Sequence, residues 1–267
     1  MKSQSKIKIL QIANIATPIA CFLILGIISF LNDANLETFD SGGEASLIDP
    51  AGFAFAIWGP IFFWLALFVV YQSRGLFDGG EPKNPLVISQ VSIFFSLSTI
   101  LSSAWYLFWS FGYVLLSTIS MILYLASILA AYVRLGINVV DRPKNEFFSV
   151  SISWSLYAGW VMAATIVSIT TLFETLNFNS PPMVFSDIGW AVLVLVIALG
   201  LYFTVLIRRK DPIYAGVGIW VLLGIIVQRY SESTVVMEVV ITAIIGILVL
   251  AIGMAYTITE NRKGVSN

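Results

Sequence analysis

Apolar runs of about 20 residues follow one another along almost the whole chain, and this repeat limits the fold more than any other feature. Helix rises 1.5 Å per residue, so a run of that length matches the roughly 30 Å hydrocarbon core of a bilayer. The runs lie at 12–31, 53–71, 86–109, 112–133, 147–173, 188–207, 213–228 and 235–257. Backbone groups in lipid must find their partners within the protein, so each run is expected to be a helix. The expectation is an all-α, polytopic membrane helix bundle of about eight transmembrane helices, with residues 1–267 forming a single integral membrane domain. Charge agrees: 11% of the 267 residues are charged, against roughly 25% in a soluble domain, too few to cover a surface facing water. The seventh run is short for a full span, but Asp211-Pro212 reads as an N-cap followed by a first-turn proline, which supports a helix starting there.

The basic residues test the count. With eight spans and a cytoplasmic N-terminus, thirteen of the fourteen lysines and arginines fall in inside segments and only Arg229 falls outside. Dropping the seventh span would move Arg262 and Lys263 outside. The expected location is therefore the cell membrane, with both termini cytoplasmic. The connection after the first span is acidic, with Asp33, Glu37, Asp40, Glu44 and Asp49. Its irregular spacing and Gly42-Gly43 favour a solvated loop over a cation-binding one.

Several chemistries are excluded. No histidine is present, which removes imidazole proton relays, histidine-ligated haem and most zinc or copper sites. The single cysteine, Cys21, cannot form an intrachain disulfide. The first run is too long for a removed signal peptide and lacks a small-residue cleavage site. Ionisable groups are nearly absent from the spans. Glu238, near the outer end of the last one where the run begins, is expected to pair with Arg229, so a carboxylate relay through the bilayer is not expected. Every lysine falls in a cytoplasmic segment, which leaves none for a retinal Schiff base. No nucleophile–base pair, metal-ligand cluster or phosphate-cradling loop is found, so the chain leans away from being an enzyme.

Hydroxyls and aromatics remain. The third run carries Ser92, Ser96, Thr99, Ser103 and Tyr106 at helical spacing, with Ser98, Ser102, Trp105 and Trp109 on a neighbouring face. Such a stripe lets helices approach closely and also suits a pocket wall. In the fifth run Gly159 and Ala163 form a close-packing pair flanked by Tyr157 and Trp160. Gly59-Pro60 is expected to kink the second run between Trp58 and Trp64. Trp58, Trp105, Trp160 and Trp220 lie deeper than an interfacial belt requires. A weak echo links Pro50-x-x-Phe53-x-x-x-x-Trp58 with Pro182-x-x-Phe185-x-x-x-x-Trp190, as an internal repeat of a transporter would.

Phe53-Ala-Phe-Ala-Ile-Trp58-Gly-Pro-Ile-Phe-Phe, ending in Tyr71-Gln72, resembles the second-helix signature of the tryptophan-rich sensory protein family, the TspO/MBR group related to translocator proteins. Ser103-Ala-Trp105-Tyr-Leu-Phe-Trp109 looks like its third-helix motif, with serine where an asparagine usually precedes the tryptophan. The segments 155–166 and 211–220 resemble those of longer members. Known members have five helices, so eight would make this an extended one. The resemblance implies binding of a tetrapyrrole such as protoporphyrin, or of a sterol-like lipid, among the helices.

The leading functional reading is thus a membrane binding or sensory protein for a flat apolar ligand. Trp58, Trp105, Tyr106, Trp160 and Trp220 would supply its walls, and Ser102 or Ser103 its polar anchor. Expected partners are the lipid bilayer, the apolar small molecule, and a second copy or a membrane-complex neighbour; nucleic acid is not expected. No cofactor is required, and metal-free porphyrin fits a chain without histidine better than haem. The alternatives are a small-solute transporter and a structural or accessory subunit of a membrane complex.

Overall fold

A computed structural model describes residues 2–31, 46–77, 80–177 and 185–265. The acidic residues Asp33, Glu37, Asp40 and Glu44, and Pro182 of the sequence echo, lie outside them. The described residues are helical, with no strand among them. The elements are α1 (Lys2–Leu31), a 3-10 turn (Gly52–Ile57) running into α2 (Trp58–Gln72), α3 (Pro85–Val91), α4 (Phe94–Ser110) and α5 (Val114–Leu135). The short α6 (Lys144–Glu146) passes through a π turn (Phe147–Ser151) into α7 (Ile152–Thr175); then come α8 (Asp187–Arg209), α9 (Pro212–Ser231) and α10 (Met237–Val265). Seven described helices are long and apolar enough to span a membrane, or eight if α3 and α4, bent by 41°, together make one span. The chain is a polytopic membrane helix bundle. Its outward apolar side chains, such as Phe22, Phe30 and Ile252, are exposed as lipid-facing residues should be.

Local chemistry explains the ends. Asp211 accepts hydrogen bonds from the Ile213 and Tyr214 N–H groups at 3.1 and 3.0 Å, with Pro212 in the first turn, as the sequence leads one to expect. Ser186 caps α8 by accepting from the Gly189 N–H. Gly136 closes α5 in the left-handed conformation at φ 64°. Pro60 has no N–H to give the Ala56 carbonyl, which a first helical turn tolerates; the chain before it winds more tightly, as a 3-10 turn.

The chain forms two compact units. One comprises Met1–Gly43, Phe62–Ile137 and Arg142–Trp154; the other comprises Glu44–Ile61, Asn138–Asp141 and Ser155–Asn267. The boundaries therefore fall inside α2 and at the start of α7.

In the first unit α4 packs on α5 and α1, and α3 on α5 and α1. Phe68, Phe95 and Trp154 meet edge to face in its interior, with ring centroids 5.3 to 6.1 Å apart. The third span breaks at Ser92, which takes φ 53° and ψ −132°, a conformation costly for a residue with a side chain. Neighbours satisfy the carbonyls freed there: Arg134 of α5 donates from Nε to the Gln90 oxygen (2.8 Å) and from Nη2 to that of Ser89 (3.1 Å). The Arg134 guanidinium also lies over the Phe94 ring at 5.6 Å.

In the second unit α8, α9 and α10 pack on one another, and the 3-10 turn packs on α9. Small residues permit the approach. A Cβ at Gly218 would lie 2.8 Å from the Tyr202 ring, and one at Gly159 would lie 3.0 Å from the Val217 side chain. Gly159 thus serves the close packing that its spacing to Ala163 suggests.

Candidate functional site

The aromatic residues of the second unit gather around the 3-10 turn. The Ala51 N–H donates to the Gly224 carbonyl at 3.0 Å. A Cβ at Gly224 would meet those of Pro50 and Ala54 at 2.9 and 3.0 Å. The turn therefore lies directly against α9, where the Trp220 indole Nε1 donates to the Ala54 carbonyl at 2.8 Å. Phe53 then meets Trp220 edge to face at 5.4 Å, Phe55 meets Trp160 at 5.6 Å, and Trp58 meets Trp160 at 6.1 Å. Trp160 of α7 is 2% exposed and its indole N–H has no acceptor. Trp58 and Trp220 are half-buried and Phe53 is exposed, so one edge of the group is open.

Of the expected site residues, the structure brings Trp58 and Trp160 together and sets Trp220 of α9 against the 3-10 turn that precedes Trp58. The others, Ser102, Ser103, Trp105 and Tyr106, lie on α4 in the first unit. Trp105 is buried, its rings stack obliquely with Tyr106 and Trp109 of its own helix, and its indole N–H lacks a partner. Ser103 donates its hydroxyl hydrogen to the Thr99 carbonyl at 3.0 Å, leaving only acceptor capacity. Ser98 and Thr99 likewise bond to the Phe95 carbonyl, whereas Ser96 reaches another helix, donating to Asn14 Oδ1 at 2.9 Å.

Phe53 and Phe55 were not among the expected site residues, although both contact tryptophans that were. Their alternation ahead of Trp58 was the available signal. The two motifs of the sequence echo make different ring contacts: Phe185 packs on Trp190 of its own motif at 5.4 Å, whereas Phe53 packs on Trp220.

Beside the aromatic group, α7, α8, α9 and α10 enclose a cavity lined by Ile48, Ala163, Leu195, Tyr202, Leu222 and Leu250 among others. Its volume is about 30 Å³, room for a water-sized molecule and far below the several hundred Å³ of a drug-sized site. Its one polar side chain, Tyr202, spends its hydroxyl on the Gly159 carbonyl at 2.7 Å. A tetrapyrrole does not fit this cavity.

Among the described residues, the buried charged side chains of this unit, Asp211 and Arg229, lie at the two ends of α9. At its start Asp211 also accepts from Ser155 Oγ at 2.6 Å. At its end Arg229 pairs with Glu232 at 3.7 Å, three residues on, instead of the expected Glu238. Asp49 lies in the turn leading to the 3-10 segment. Burial pushes its carboxyl up to about 6, against the opposing pull of the Ser46 N–H and Arg229, and with Glu174 adding to the rise. Among the described residues no three acidic, histidine or cysteine side chains converge as metal ligands.

Comparison with known proteins adds one positive finding. No curated protein and no solved structure matches the chain. The family model for TSPO-like proteins matches residues 9–256, nearly the full length and both units, and the chain belongs to that family.

Proposed function

We propose that this protein is a TspO-like binding or sensory protein that holds a flat apolar ligand, a tetrapyrrole or a sterol-like lipid, against the aromatic edge of its second unit. The observation that carries the reading is the group Phe53, Phe55, Trp58, Trp160 and Trp220 gathered around a 3-10 turn fastened to α9. A porphyrin or sterol needs a large apolar contact and few polar anchors. The group offers ring faces and edges together with one buried, unused indole N–H on Trp160. The α4 residues Ser102, Ser103, Trp105 and Tyr106 form the second proposed set. The distribution of basic residues supports a cell-membrane protein with both termini in the cytoplasm.

The test is tryptophan fluorescence of the purified protein titrated with protoporphyrin. Saturable quenching in the micromolar range, weakened by Trp160→Phe, supports the reading. The same titration with Trp105→Phe decides whether the α4 set takes part. Linear quenching that ignores both changes overturns ligand binding and favours an accessory or transport role.

A further inference from the structure

The first unit gathers its cations at one end, and hydrogen bonds show which elements meet there. Gln11 of α1 donates to the carbonyls of Gln72, at the end of α2, and Arg74 (2.6 and 3.4 Å). Asn14, one turn on, donates to Gln72 Oε1 (3.3 Å) and to the Ser92 carbonyl (3.4 Å). These three amides are each 0% exposed. Just before α3, Asn84 donates to the Tyr71 carbonyl (2.9 Å) and the Lys83 N–H to that of Arg74 (3.2 Å). Glu146 of α6 pairs with Arg142 through one oxygen and accepts from the Tyr71 hydroxyl through the other (2.9 Å). Arg142 in turn donates to the carbonyl of Leu135, the last residue of α5.

The surface of this end is basic and carries exposed rings. The Arg74 guanidinium lies over the Tyr71 ring at 5.1 Å, beside the Arg142–Glu146 pair. Lys6, Lys8, Lys83, Arg134 and Lys144 stand at the same end. Apart from Glu146, Glu81 is the one carboxylate of this unit among the described residues, and it accepts from Gln4; Asp78 lies outside them. Phe77, three residues after Arg74, is 80% exposed, and Phe148 is 54% exposed. Phe147 and Phe148 follow Lys144 by three and four residues, the spacing of one helical face, while Glu146 points to Arg142 and Tyr71.

A topological signal accounts for the charge, because it needs basic residues on one side of the membrane and no particular neighbours. It does not account for exposed rings set among them. Phe77 lies in a connection beyond the end of α2, and irregular backbone is excluded from the hydrocarbon core, so its ring belongs at the boundary between acyl chains and headgroups. A soluble anion would meet the cations and leave the rings in water. A phospholipid meets both, with its phosphate at the cations and its acyl chains at the rings.

We propose that this end of the first unit is an interaction surface for anionic phospholipid, with Arg74 and Lys144 at the phosphates and Phe77 and Phe148 at the acyl boundary. The proposed orientation sets it at the cytoplasmic leaflet, the one that carries anionic lipid. The surface uses none of the aromatic group of the second unit, so this assignment and the ligand reading can fail separately.

The experiment follows the thermal midpoint of the full-length protein in neutral detergent as phosphatidylglycerol is added, with phosphatidylcholine of the same chains as the comparison. A saturable rise with phosphatidylglycerol and none with phosphatidylcholine is expected. Arg74→Gln combined with Lys144→Gln should raise the lipid concentration needed at least roughly fivefold. Phe77→Ser should raise it as well, which a purely ionic contact does not predict. Arg208→Gln combined with Arg209→Gln, the same loss of charge in the second unit, should leave it unchanged. If the first pair fails to fold, the wild-type comparison and Phe77→Ser still decide. An equal response to the two lipids, an equal loss in the second-unit pair, or an equal rise in inorganic phosphate at matched ionic strength overturns the surface.

Discussion

The two units solve the problem of polar groups in a membrane in opposite ways. The second keeps its interior largely apolar: hydroxyls such as Thr165 and Thr257 turn back on nearby backbone, and its buried charged side chains among the described residues, Asp211 and Arg229, lie at the two ends of α9. The first buries three uncharged amides and breaks a span beside them, so its interior depends on side chains from α1, α2 and α5 finding particular backbone carbonyls. A core of short hydroxyls loses little when one is removed, because each serves its own helix. A core of linked amides loses several bonds at once, because each member satisfies groups on different helices. The difference points to an interior in the first unit specified by hydrogen bonding and one in the second specified by shape.

The strongest way to break this contrast is Asn14→Leu. It strips the donor from the Ser92 carbonyl and from Gln72 Oε1 and the acceptor from Ser96. With several buried groups unmet, a loss of about 3 kcal/mol is expected. Thermal unfolding in detergent should show a drop of many degrees, together with altered near-ultraviolet dichroism. A variant as stable as the parent would show that the amides are incidental.

How far the sequence revealed these features differs between the units for physical reasons. Span length and composition are set by the bilayer, so seven or eight spans were legible, the third as one run that the structure bends into α3 and α4, and so was the Asp211-Pro212 start of α9. The aromatic group was legible in part: Trp58 and Trp160 stand out by residue type, but their meeting depends on the close approach at Gly224, a tertiary fact. The break at Ser92 was not legible, because residues 86–109 contain neither glycine nor proline and the cause lies on other helices, in Arg134 and Asn14. The amide network was not legible, because Gln11 falls one residue before the first apolar run and its members carry no charge. The spacing Gln11-x-x-Asn14, one helical turn, was the signal that would have found it.

A second prediction concerns the charge that the other unit keeps at its edge. Asp49 carries a carboxyl raised to about 6 by burial. Between its ordinary value near 3.8 and 6 the unfolded chain ionises first, so the folded state loses stability as pH rises through that window and the penalty is constant above it. Asp49→Asn removes the penalty. The variant should match the parent below pH 4 and exceed it by on the order of 2 kcal/mol at neutral pH, read as a difference in thermal midpoint across a pH series. A constant difference, or one growing toward acid, would show that Arg229 and Ser46 outweigh burial and that this edge is held by its charges.

The smallest effect sharpens the contrast most directly. Tyr202 is fully buried in the second unit, and its hydroxyl reaches the Gly159 carbonyl on another helix, a cross-helix bond of the kind that should matter in the first unit. Here the acceptor also lies within α7, where it receives the ordinary helical N–H four residues on. Tyr202→Phe therefore leaves no acceptor wholly unmet and keeps the ring that packs against Gly218. The cost should be about 1 kcal/mol or less, with the fold and any protoporphyrin titration unchanged. If Tyr202→Phe instead costs as much as Asn14→Leu, the interior of the second unit also depends on a polar link, and shape alone does not specify it.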